Sequence, residues 1–133
     1  MAGYKDGQYS KSNNNRQLNK GAWFNKYQKA WTTVYRVKTS SSVRSQIANW
    51  ADWRYWSSTH GLKKNRKVAY KLATQLKGDY GNAYCSKLVW QALHYGSGNV
   101  ALVQPRPTTF MVAPYFLPSE VTSKYYPTKY GPY

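Results

Sequence analysis

Two hydrophobic periods run through this chain. Trp31–Lys38 (WTTVYRVK) sets Trp31, Thr33, Tyr35 and Val37 against Thr32, Val34, Arg36 and Lys38. That two-residue alternation, rich in β-branched and aromatic side chains, predicts a strand. Next comes Thr39–Ser42, a cluster of helix-capping residues. Val43, Ile47, Trp50 and Ala51 then keep the i, i+4, i+7, i+8 spacing of an amphipathic helix to about Tyr55. Val68, Tyr70, Leu72, Thr74 and Leu76 alternate again, and Val68–Leu76 is read as a second strand. Asn82–Gly98 (NAYCSKLVWQALHYGSG) returns to the helical period. At 100° per residue from Cys85, Val89, Leu93, Gly96, Ala92 and Leu88 fall within about 80°, and Lys87, Gln91 and His94 take the other side. Gly96 and Gly98 supply the stop.

Weaker patterns fill the rest. Met1–Gly21 is a polar loop or arm, and Trp23–Lys29 is read as a turn of helix placing Trp23, Phe24 and Tyr27 against the core. Val100–Val103 and Thr108–Ala113 are short β-branched runs limited by Pro105, Pro107 and Pro114. Leu117–Ser123 is one helical turn with Pro118 at its first position, and Lys124–Tyr133 is rich in Tyr, Lys and Pro. The whole, 1–133, reads as a single α+β domain, with the Cys85 helix packed on a small antiparallel sheet that includes Trp31–Lys38 and Val68–Leu76.

Composition changes this picture in two ways. Leu, Ile, Val and Phe are scarce, yet Tyr 14 and Trp 6 restore the bulk, so the core is expected to be unusually aromatic. Lys+Arg 20 against Asp+Glu 4 gives a formal charge of +16. A polyanionic setting follows: nucleic acid, anionic lipid, or a wall polymer of the teichoic-acid type. The single cysteine excludes an internal disulfide. No run of 18 apolar residues is present to span a membrane, and the N-terminus lacks an apolar signal region.

Chemistry concentrates on Cys85. A thiol at a helix N-terminus faces unpaired backbone N–H groups and the positive end of the macrodipole, which favour a thiolate and can hold an oxyanion. Periodicity alone equally fits a small buried hydrophobe. The word Tyr84-Cys85-Ser86-Lys87-Leu88-Val89-Trp90-Gln91-Ala92 resembles the nucleophile motif of the circularly permuted NlpC-like hydrolases, papain-like cysteine hydrolases associated with bacterial cell walls. The order of segments is similar over nearly the whole chain, with Ala69-Tyr70 and Met111-Val112-Ala113-Pro114 at matching places. The resemblance implies a papain-like fold and cleavage of an amide, a peptide bond in peptidoglycan, in a secreted or wall-associated protein without cofactor or metal. It makes Cys85 the nucleophile and Tyr70 and Tyr84 substrate-binding residues.

One part of that pattern is missing. The family's general base is a histidine in a Gly-His word on an early strand, and Ala2-Gly3-Tyr4 looks like the tail of the strand that follows it. The chain therefore reads as the C-terminal portion of such a domain, inactive alone, with an open sheet edge on which a second copy could pair. His94 lies nine residues beyond Cys85, roughly 13 Å along the axis and about 180° round. His60, in the basic loop Ser57–Lys64, is the remaining substitute and reads as an ordinary loop histidine. Asp6, Asp52, Asp79 and Glu120 are too scattered for a glycosidase pair or a calcium loop, and one Cys with two separated His makes no zinc site. Two rivals stand beside the hydrolase: a basic binding module with Cys85 as core, and a small secreted inhibitor or toxin on the same scaffold.

Overall fold

A computed structural model describes residues 19–27 and 32–132. Most of the expected Met1–Gly21 arm, and Trp31, lie outside the described residues. Helix α1 spans Lys20–Tyr27, with the Asn19 side chain accepting the Ala22 N–H at 2.7 Å. Every residue from Lys20 to Lys26 except Phe24 is exposed, and Trp23 shows 41% of its surface. The expectation that Trp23 packs inward fails because an eight-residue helix carrying Lys20, Asn25 and Lys26 has no continuous apolar stripe to bury.

Strand β1 is Val34–Arg36, shorter than the alternating run that predicted it. It pairs antiparallel with β4, Thr128–Tyr130, placing Val34 opposite Tyr130 and Arg36 opposite Thr128. Helix α2, Ser41–Tyr55, follows as its spacing predicts. Ser40 caps it by accepting the Val43 N–H on its hydroxyl at 3.2 Å, and Arg44 reaches back to the Thr39 carbonyl. Val43 and Ile47 pack inward.

The second expected strand is mostly absent. Only β2, Ala69–Tyr70, is extended and paired, and its partner β3, Asn82–Ala83, runs parallel to it. The α+β class holds, but the single antiparallel sheet gives way to two separate two-stranded ladders. Alternation misleads here because Thr74 turns its hydroxyl to Asp79 rather than following a ladder, while Leu72 is exposed. Leu76 is fully buried and donates its N–H to the Thr108 carbonyl at 2.7 Å.

Helix α3, Cys85–Gly96, lies centrally. Gly96 packs directly on α2: a Cβ there would lie 2.8 Å from the Ile47 Cα and 2.9 Å from the Trp50 Cβ. Leu88 joins a second cluster with Tyr55, Val68, Ala83 and Trp50. Beyond α3, Val103 bridges Val121 but no strand forms over Thr108–Ala113. A 3-10 turn at Pro114–Phe116 leads into α4, Leu117–Glu120, with proline in its first turn as expected. Glu120 is buried and takes both Arg106 guanidinium donors, at 2.8 and 3.0 Å, closing the 106–120 segment on itself.

The core is less aromatic than the composition suggests. Trp90 sits fully buried among Leu76, Leu102, Val103 and Val112, so the scarce aliphatics make the centre. Trp50, Tyr55, Tyr80 and Tyr95 form a flanking stack, with Trp50 and Tyr95 parallel at 5.5 Å and the Arg54 guanidinium 4.2 Å from the Tyr80 ring centre. Other aromatics remain outside.

The Gly96 contact yields a direct test. Gly96→Ala should lower stability by roughly 1–3 kcal/mol in urea unfolding, because the obstacles are backbone and Cβ atoms that cannot swing away. Gly81→Ala, whose Cβ would meet nothing within 4 Å, should stay within about 0.5 kcal/mol of wild-type.

Candidate functional site

Cys85 is the first residue of α3 and is half-buried. The residues on either side fix that helix end to the 112 segment. Tyr84 is buried, and its hydroxyl accepts the Val112 N–H at 3.0 Å. Ser86 is buried too, and its hydroxyl donates to the Val112 carbonyl at 2.6 Å. Two neighbouring side chains thus hold both polar groups of one peptide residue, and Cys85 sits between them. Burial raises the Tyr84 pKa despite the Val112 bond, so the hydroxyl stays protonated near neutrality.

Tyr84 is the N-cap residue of α3 and gives the helix no side-chain cap. The first-turn N–H groups of an α-helix have no acceptor within the helix. The α2 end is different, with Ser40 satisfying one such donor. Tyr70 is brought close by β2, where it pairs with Ala83, two residues before Cys85, and the Lys71 N–H donates to the Ala83 carbonyl at 3.1 Å. The parallel ladder therefore sets Tyr70 opposite Ala83, two residues from Cys85 in sequence.

The faces of α3 differ from the helical-wheel expectation. Lys87 and Gln91 are fully buried, whereas Val89, expected inward, is 37% exposed. The reason is the 74–82 loop, which offers backbone carbonyls where solvent was expected. Lys87 Nζ donates to the Asn82 carbonyl at 2.5 Å and to the Thr74 hydroxyl at 3.0 Å. Gln91 Nε2 donates to the carbonyls of Leu76, at 2.8 Å, and Asp79, at 3.2 Å. Asp79 completes the group, accepting from the Thr74 hydroxyl and from the Gly81 and Asn82 N–H groups. Burial works to raise the Asp79 carboxyl, but the bonds from Thr74 and Asn82 and the Lys87 charge outweigh it and hold it below its ordinary value. Sequence reasoning missed this cluster. Its signal was Lys87 and Gln91 four residues apart on a helix with apolar neighbours, preceded by the turn-forming Asp79-Tyr80-Gly81-Asn82.

The two histidines gather at the other end of α3. His94 stacks on Trp90 with ring centres 4.7 Å apart, and burial, aided by Lys77, lowers its pKa. His60 adopts φ 56° and sets Nδ1 3.0 Å from an Asp52 carboxylate oxygen. It lines an open hollow with Trp50, Trp53, Tyr95, Gly96 and Gly98. Eleven residues of helix, about 16 Å, separate Gly96 from Cys85. Neither histidine stands at the cysteine. Among the described residues no three His, Cys, Asp or Glu side chains come together to hold a metal ion, and no helix is long and apolar enough to cross a membrane.

No family model matches the sequence, and no solved structure matches it. A relative described as an uncharacterized 30.3 kDa protein of Bacillus thuringiensis is 37% identical over 116 residues, which cover 86% of this chain and 42% of that protein. The chain thus spans about two fifths of the length of this relative.

Burial of Lys87 has a pH signature. Loss of hydration lowers its pKa to about 8 from the ordinary 10.5, against the opposing pull of Asp79. Between those values the unfolded chain binds more protons than the folded one, so the cost of the buried charge, in force below pH 8, is relieved as pH rises. Lys87→Met removes this titration and leaves the Asn82 and Thr74 acceptors unpaired at every pH. Wild-type should therefore gain stability over Lys87→Met between about pH 7.5 and about pH 10 in urea unfolding. A gap that does not change with pH would show that the ammonium is not desolvated.

Proposed function

We propose that this chain carries the nucleophile half of a papain-like cysteine hydrolase acting on amide bonds, with the peptides of peptidoglycan as substrate class. The observation that carries this reading is the position of Cys85: half-buried at the start of α3, with no side-chain cap on the helix, between two side chains that grip Val112. The Tyr84–Ala92 resemblance supports it. In the proposed reaction the Cys85 thiolate attacks the amide carbonyl, and the oxyanion that forms is held by first-turn N–H groups. The tetrahedral adduct collapses as the amine leaves with a proton from a histidinium. Water then hydrolyses the thioester, releasing the acid and restoring the thiol.

On this reading the histidine comes from outside the 133 residues, which contain His60 and His94 only. In the Bacillus thuringiensis relative the similar stretch is part of a longer chain. Tyr70 contributes to substrate binding, and Tyr84 acts chiefly by fixing the helix end. A second reading, a basic module for an anionic wall polymer or nucleic acid, draws support from the charge balance. Each acidic side chain among the described residues is engaged within the fold: Asp52 with His60, Asp79 with Thr74 and Asn82, Glu120 with Arg106.

The test has two arms. Cys85 in the folded chain should be alkylated by iodoacetamide at pH 6.5 faster than free glutathione, and complete protection would return it to the core. The isolated chain should cleave peptidoglycan peptides about 10²–10⁴ times more slowly than the same chain joined to a Gly-His strand segment. Cys85→Ala should then abolish the recovered turnover. Polymer binding that survives Cys85→Ala and falls steeply with salt, with no recovered turnover, would favour the binding module.

A further inference from the structure

The longest uncharged apolar run in the second half of the chain is FMVAPYFLP, residues 110–118. It faces two ways. Val112 is buried, and Phe110 and Leu117 pack against the main core cluster. Between these anchors Met111 is 57% exposed, Tyr115 94% and Phe116 64%. The segment is held firmly: Val112 by the Tyr84 and Ser86 hydroxyls, and Phe116 through its carbonyl by the Ser119 hydroxyl at 2.8 Å. Exposed apolar side chains scattered singly need no explanation, but three within six residues on a braced turn form a patch.

What this patch would meet follows from charge. The chain carries +16, and its described carboxylates are turned to partners within the fold. The charged residues nearest the run in sequence are Arg106 and Glu120, which pair with each other, and Lys124 follows beyond them. A second copy would bring +16 against +16, which disfavours association through this face. A soluble polyanion satisfies the charge but offers no apolar medium to three large side chains. A bilayer with anionic headgroups offers both.

We propose that Met111, Tyr115 and Phe116 dock this protein on an anionic lipid membrane, the apolar turn entering the headgroup boundary while lysines and arginines meet the lipid charges. Because Val112 is bonded to the residues on both sides of Cys85, docking would hold the cysteine end of α3 close to the lipid surface. The proposal stands independently of hydrolysis, since the Cys85→Ala chain should dock equally well.

The experiment is co-sedimentation of the full chain with vesicles of about 30 mol% phosphatidylglycerol in phosphatidylcholine, and with pure phosphatidylcholine, at near-physiological salt. Wild-type should bind the anionic vesicles at least about tenfold more tightly than the neutral ones. A Met111→Ser/Tyr115→Ser/Phe116→Ser variant with unchanged circular dichroism should lose about tenfold or more of that binding. It should bind soluble polyphosphate as wild-type does. Equal vesicle binding by variant and wild-type would overturn the proposal, as would equal binding to the two vesicle types. Polyphosphate binding by a wild-type chain that fails to bind the anionic vesicles would assign the charge to a soluble polymer and overturn the proposal. A wild-type dimer that the triple substitution converts to monomer would assign the patch to a second copy, against the proposal.

Discussion

The fold depends on a polar interior built around one helix. α3 is enclosed on sides that its sequence marks as polar, and this is possible because Lys87 and Gln91 replace water with the carbonyls of the 74–82 loop. A buried ammonium costs far more than a buried methylene unless its donors are used. The loop is therefore as constrained as the helix: Thr74, Asp79 and Asn82 must present oxygen atoms together. Everything that positions Cys85 follows from this arrangement, since β3 and Tyr84 continue directly from the loop into the helix.

Tertiary context explains which parts were legible in the sequence. α2 was readable because its stripe of Val43 and Ile47 meets an apolar core in the ordinary way, and its cap Ser40 is local. The start of the Cys85 helix was equally local. The faces of α3 were not, because a helical wheel assumes that Lys and Gln seek solvent, and here the partners lie as many as fifteen positions away in sequence. Val68–Leu76 failed as a strand for a related reason: after Tyr70 the backbone follows the Asp79 network and the Leu76 contact with Thr108. Thr108–Ala113 has strand composition, but Val112 gives its N–H and carbonyl to the side chains of Tyr84 and Ser86. β4 hides in a Tyr, Lys and Pro-rich stretch where no alternation marks it.

The candidate site divides in the same manner. The cysteine, its helix and the tyrosine before it could be found by pattern. The grip on Val112, the Lys87 cluster and the His60–Asp52 pair are products of distance in the chain, and only the folded arrangement displays them. That arrangement also carries His60 to the far end of α3, where spacing already placed His94, so neither histidine stands at the cysteine.

The β1–β4 ladder sets a timetable for synthesis. Val34–Arg36 leaves the ribosome early, yet the residues it pairs with, Thr128–Tyr130, are made more than ninety positions later. Until then this strand has open hydrogen-bonding groups and the hollow behind it, lined by Val34, Val37, Ile47 and Leu93, lacks the pairing strand beside it. Contacts so distant form slowly, because the chain between them must first surrender its freedom. A growing chain therefore cannot reach its final form as it emerges. The ladder stays open until Thr128–Tyr130 has been made, and until then β1 keeps an unpaired edge on a strongly cationic chain.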